Sequence, residues 1–254
     1  MLPNTLRRWF TGDMGTPGEY MYQSIHLWTV TVVAALFLFT VFAGHRLRHN
    51  TRTCRKLLTA IALFQLFFEI FWRLVYVFIK GDSLLCWWPV YPCNLGGVLI
   101  PVLALCDWQK GKKMFYLFGF VGGALTFAYP QGIFTSDALS FPILKSILQH
   151  TGLLLIPALE YVSGRYRPSL RDLGWVVSGS FIHIFNCEVI TRLWGFTGDY
   201  IFFRSGLPFV LPGVPQFVTL SVFAFFVLAL LCFLCDAKSS LACLKRAKEA
   251  ALSN

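Results

Sequence analysis

Residues 216–235 read QFVTLSVFAFFVLALLCFLC, twenty positions without one charged side chain. An α-helix rises 1.5 Å per residue, so about 20 apolar residues cross a hydrocarbon core roughly 30 Å thick. Six further stretches of this kind precede it, at 24–44, 57–79, 84–106, 114–130, 141–162 and 173–194. With 56% hydrophobic and only 13% charged residues, the chain of 254 residues is too apolar for a soluble domain. It reads as all-α, a polytopic, multi-pass integral membrane protein of seven transmembrane helices. No fixed-period repeat and no Pro/Gly/Ser-rich linker divides it, so residues 1–254 form a single domain, with short loops that favour antiparallel neighbours.

The net charge of +10 could point to nucleic acid, but the basic residues sort by loop as membrane insertion requires. Loops 45–56, 107–113 and 163–172 and the tail after 235 hold fifteen Lys and Arg, whereas the alternate set holds five: Arg7, Arg8, Lys80, Arg192 and Arg204. By the positive-inside rule the N-terminus is outside and the C-terminus cytoplasmic. Nucleic acid is not an expected partner; anionic lipid headgroups at the cytoplasmic face are. The first 23 residues lack the apolar stretch of a cleavable signal, so the first span is expected to direct insertion. Trp9 and Phe10, beside Arg7 and Arg8, read as an interfacial segment.

The eight cysteines do not form a disulfide scaffold, because Cys54, Cys106, Cys232, Cys235 and Cys243 fall on or near the reducing side. Cys86 and Cys93 lie toward the outside and could pair. Cys54 and Cys243 are candidates for palmitoylation. Span seven has no lysine for a Schiff base, which sets a retinal protein aside. No phosphate-cradling glycine loop, HExxH or zinc-spaced Cys/His cluster occurs, so neither a metal nor a soluble cofactor is expected.

Span three is irregular. Pro89, Pro92 and Pro101 sit inside it, and the run Trp87-Trp88-Pro89-Val90-Tyr91-Pro92-Cys93-Asn94 cannot be continuous helix, since each proline removes a donor and clashes with the preceding turn. Backbone groups freed at membrane depth must find protein or water, so such breaks tend to line cavities. Segment 195–215, rich in aromatics and Gly/Pro, reads either as an outer lid or as an aromatic belt. Gly119 and Gly123 form a GxxxG, read as close helix packing.

Counted inward from the outer end of each span at 1.5 Å per residue, Cys93 and His150 lie at about 13 Å, Asn186 at about 12 Å, Glu69 at about 15 Å, Arg73 at about 9 Å and His183 at about 16 Å. An ionisable group at the bilayer centre costs about 2.5–3.5 kcal/mol, so this clustering implies a polar pocket in the outer half. Glu69 and Arg73, spaced i,i+4, read first as a structural ion pair and alternatively as a headgroup site with Arg73 on the anion. Glu188 and Arg192 repeat that spacing nearer the surface. A buried His150 or Cys93 alone is commonplace; as a pair they supply a thiol nucleophile and its base, with Asn94 or freed backbone N–H groups for the oxyanion. Asn186 and Tyr91 complete the candidate substrate site, and His183 and His26 are alternative bases.

These stretches resemble the YwaF-like integral membrane proteins, a group that includes animal transmembrane protein 164. The resemblance runs in order through Trp88-Pro89-Val90-Tyr91-Pro92-Cys93-Asn94-Leu95, Phe115-Tyr116-Leu117-Phe118-Gly119-Phe120-Val121-Gly122-Gly123-Ala124, His150-Thr151-Gly152, Tyr166-Arg167-Pro168 and Asp199-Tyr200 with Pro208 after it. It implies an acyltransferase-like activity on membrane phospholipids, with the motif cysteine and helix histidine as catalytic pair; these fall on Cys93 and His150. Three departures stand out: Tyr91 replaces a motif histidine and is a poor base near neutral pH, Thr151 separates His150 from Gly152, and the glycine helix ends in Tyr129-Pro130. The expected function is a membrane-embedded lipid acyltransferase or acyl hydrolase with membrane lipid as substrate. The alternatives are a transporter or binding protein with its site at the broken third span, and a structural or receptor-like subunit.

Overall fold

The computed structural model describes residues 3–81, 83, 87–200 and 213–252, with side chains up to residue 245. All regular structure among these residues is helical. After a short α1 (Asn4–Thr11) come α2 (Ser24–Leu47), α3 (Thr51–Val75) prolonged by a π turn (Tyr76–Lys80), α4 (Pro92–Cys106), α5 (Gln109–Ala128) and α6 (Phe141–Val162). A 3₁₀ turn (Leu170–Asp172) leads into α7 (Leu173–Phe185), which continues through a π turn (Asn186–Ile190) into the short α8 (Thr191–Leu193). Finally come α9 (Gln216–Cys235) and α10 (Ala237–Leu252).

Five segments among the described residues are long and apolar enough to cross a membrane: Ser24–Leu47, Thr51–Lys80, Phe141–Val162, Leu170–Leu193 and Gln216–Cys235. The third predicted span is shorter than its reading: among its described residues the α-helix covers Pro92–Cys106, 15 residues and about 22 Å of rise. Pro92 opens it at a position where a missing N–H costs nothing, and Tyr91 ahead of it is extended. Residues 109–113, read as part of a loop, are the first turn of α5, because Asp107 takes a left-handed conformation and turns the chain within two residues.

Helix α6 is the axis of the bundle, buried from Gln149 through Glu160 and flanked by α2, α3, α4 and α5. The glycines of α5 allow this approach. A Cβ on Gly119 would run into Ile100, and one on Gly123 would stand 3.0 Å from the His150 carbonyl oxygen. On α2 and α9, by contrast, Trp28, Phe39, Phe226 and Leu234 are exposed, an arrangement suited to lipid rather than water.

Each end is tied across the chain. At one, Trp9 Nε1 donates to the Leu139 carbonyl (2.9 Å), Gly18 N to Thr135 O (3.1 Å) and Tyr20 N to Phe134 O (2.9 Å). Trp9 and Phe10 pack on Phe141. At the other, Lys112, wholly buried, binds both oxygens of an equally buried Glu160 at 2.8 and 2.9 Å and also binds Asp107. Arg55 and Arg165 join Asp107 at 3.3 and 3.0 Å, and Lys113 joins Asp172 at 2.7 Å. Burial raises the Asp107 carboxyl, but the Lys112 hydrogen bond and charge, with Arg165, outweigh it and hold the group below its ordinary value.

Candidate functional site

The polar groups at the other end converge on Glu69, within the last two turns of α3 and 1% exposed. Arg73, one turn on, donates through Nη1 to Glu69 Oε2 (2.5 Å) and to the Glu69 carbonyl (2.7 Å). Trp72 Nε1 donates to Oε2 at 2.9 Å. From α6, Gln149 Nε2 donates to Glu69 Oε1 at 2.8 Å, and Gln65 reaches the same oxygen at 3.4 Å. The carboxylate is therefore saturated with donors, which is what permits its burial. Helix α4 supplies the space: a Cβ on Gly97 would lie 2.5 Å from Glu69 Oε1 and 2.9 Å from Gln149 Nε2.

Asn94, in the first turn of α4, extends this network. Its Oδ1 accepts from Gln149 Nε2 (3.1 Å), Lys145 Nζ (3.2 Å) and, weakly, Cys93 Sγ (3.9 Å). Lys145 also lies over the Trp72 ring, 4.3 Å from its centroid. Cys93 is a free thiol; its suggested partner Cys86 lies outside the described residues.

His150 is 5% exposed on the same helix as Gln149. Its Nδ1 sits 2.7 Å from the Ser146 carbonyl, which only accepts, so Nδ1 carries the proton and Nε2 the lone pair. No hydrogen bond joins His150 to Cys93. Ser146 and Phe127, both against His150, line a crevice with Thr126, Ile133, Phe134 and Ile147 that has no room for a water molecule.

The break before α4 is held by α7. Asn186 Nδ2 donates to Pro89 O at 2.7 Å and Cys187 Sγ to Val90 O at 3.2 Å, so the carbonyls released by the prolines find side-chain donors. Asn186 and Cys187 belong to the π turn of α7–α8, an irregularity that re-aims side chains. Tyr91 meets Tyr200 edge to face, with ring centroids 5.0 Å apart.

Glu69, Arg73 and Asn94 thus belong to one network with Cys93 at its edge, while Asn186, Tyr91 and His150 stand apart from it. Of the alternative bases, His26 bridges Phe127 O and Tyr22 N, and His183 is enclosed by Phe115 and Phe118 with both ring nitrogens unpartnered. Glu188 and Arg192 pair at 3.1 Å as their spacing predicts. Cys54 is packed in the core, away from any modifying enzyme, and Cys243 is partly exposed. The aromatic segment read as a lid or belt lies, over 201–212, outside the described residues, as does Pro208.

Gln65, Lys145 and Gln149 are absent from the sequence-based site. Lys145 carried a signal: with Arg73 and Arg192 it is one of three Lys and Arg inside the predicted spans. The two glutamines carried none, since an amide in an apolar run reveals its purpose only through its partner.

Long apolar helices that turn greasy faces outward and enclose a hydrogen-bonded network around a buried carboxylate define an integral multi-pass membrane protein. The model of the TMEM164 family matches residues 21–235, and the chain belongs to that family. No curated protein and no solved structure matches it.

Proposed function

We propose that the protein is a membrane-embedded enzyme that transfers or hydrolyses a lipid acyl chain, with Cys93 as nucleophile and His150 as base. The observation that carries this reading is the position of Cys93 in the first turn of a helix that starts at a proline break, beside a helix whose histidine keeps Nε2 as an acceptor. His150 Nε2 takes the thiol proton, Sγ attacks the ester carbonyl carbon, and the alcohol of the lysolipid leaves with that proton. A second lipid hydroxyl, or water, then gives its proton to His150 and attacks the thioester, releasing the acyl product and returning the thiol. Asn94 Nδ2, which holds no other hydrogen bond among the described residues, is the side-chain donor for the oxyanion. Tyr91 and Asn186 border the route to the break, and Arg73 acts on the headgroup only indirectly, because its charge is engaged by Glu69.

The proposal extends to topology. Helices α4 and α5 bring the crossings to seven, the N-terminus faces outside, and the basic cytoplasmic end, with Lys238 and Lys245 on α10, meets anionic lipid headgroups. Turnover of a phospholipid extract by purified protein is expected to vanish in Cys93→Ala; undiminished turnover removes Cys93 from the mechanism. Substrate flux into liposomes that persists after thiol alkylation is the outcome that favours a transporter instead.

A further inference from the structure

Charges in the buried network do not balance. Glu69 is its single carboxylate, and Arg73 takes it up through two hydrogen bonds. Lys145 is a second cation with no carboxylate in ion-pair reach among the described residues; it has an amide oxygen and a tryptophan face. An ammonium with only a neutral acceptor and a π cloud is poorly compensated away from water.

The same amide oxygen that receives Lys145 Nζ at 3.2 Å receives Cys93 Sγ at 3.9 Å, so Asn94 joins the thiol to the ammonium. The charged groups whose fields reach Cys93 are Lys145 and Glu69, and the second of these is already neutralised by Arg73. Cys93 also stands in the first turn of α4, at the positive end of that helix's dipole, which points the same way. Burial of the thiol works against a thiolate, and both features oppose that burial by favouring negative charge on sulfur.

We propose that Lys145 is the counter-ion of the Cys93 thiolate: when the thiol proton passes to His150, the ammonium turns from the Asn94 oxygen onto Sγ and holds it for attack. Lys145 is thus a positioning residue that acts through sulfur, and the inference rests on the reading of Cys93 as nucleophile. It assigns Asn94 a second duty, keeping the cation beside the thiol in the resting state. It also accounts for a lysine one turn before Gln149, on the side of α6 that meets Asn94.

The test reads thiolate directly and needs no turnover. Full-length protein in nanodiscs is treated with iodoacetamide at pH 7.5, where Sγ displaces iodide from carbon, and Cys93 labelling is followed by peptide mass spectrometry with exposed Cys106 as internal control. Lys145→Gln is expected to slow Cys93 labelling about tenfold or more, the effect of roughly one ion pair of partial burial. Lys145→Arg, which keeps the charge, is expected to stay within about threefold of wild type, and Cys106 to be unchanged throughout. Equal rates in wild type and Lys145→Gln overturn the proposal, as does equal slowing by Gln and Arg, which marks a packing role. Lys145→Met, which preserves the contact with Trp72, decides the matter if the Gln variant does not fold. The two readings fail separately: acyl transfer that survives in Cys93→Ala removes the catalytic role, whereas a Lys145-independent labelling rate removes the counter-ion.

Discussion

Glu69 is the residue on which the buried network depends, because four donors from two helices end on its two oxygens. Glu69→Gln leaves Arg73 charged and unpaired in an apolar interior. Breaking such a pair costs about 3–5 kcal/mol, so this variant is expected to lose most of its thermal stability in detergent, while Arg192→Gln at the exposed pair stays near wild type. Asp107 offers a residue-level test by pH. Its folded value is depressed, so its contribution is fully present above the ordinary carboxylate value of 3.8 and is lost as pH falls through the lowered one. The melting temperature of the wild type should fall across that window, and Asp107→Asn should flatten the dependence. At this scale the i,i+4 pair Glu69 and Arg73 was legible because both partners lie on one helix. The saturation of Glu69 by Gln149 was not, since it depends on how α6 meets α3.

Among the elements, α6 and α9 begin and end where the sequence places them, at Phe141–Val162 and Gln216–Cys235. Prolines in the first turn of α6 and immediately before α9 give unambiguous starts there. The same residue type misleads in α4, where, among the described residues, Pro89 and Pro92 keep 88–91 of the predicted span out of the helix. Neither π turn was legible, because an extra residue in a helical turn leaves the apolar pattern almost unchanged. The π turn of α7–α8 nonetheless carries the clamp on the break. Asn186→Ala strips Pro89 O of its donor, a loss of about 1–3 kcal/mol if the carbonyl stays buried. Faster hydrogen exchange in residues 87–91, with α2 and α9 unaffected, is the expected signature; an unchanged pattern would mean that Cys187 alone holds the break.

For the molecule as a whole, the sorting of Lys and Arg between loops put Arg55, Lys112 and Arg165 on one side, and the structure gathers them at one end on Asp107 and Glu160, with Lys112 and Glu160 wholly buried. Loop charges counted only for their sorting also bind helices together, which a linear count cannot reveal. The proposed orientation predicts that a membrane-impermeant maleimide labels Cys243 only after cells are permeabilised; labelling of intact cells reverses the topology. The opposite end has a consequence for biosynthesis. Residues 14–20 grip Phe134, Thr135 and Ser136, partners more than a hundred positions downstream. At about 5–20 residues per second, translation leaves the leading segment waiting roughly 6–24 s before its counterpart exists. The clasp is therefore a late closure, made only after α5 has been synthesised, and until then α1 has no aromatic seat on Phe141 and must shelter at the bilayer surface or in the grip of a chaperone.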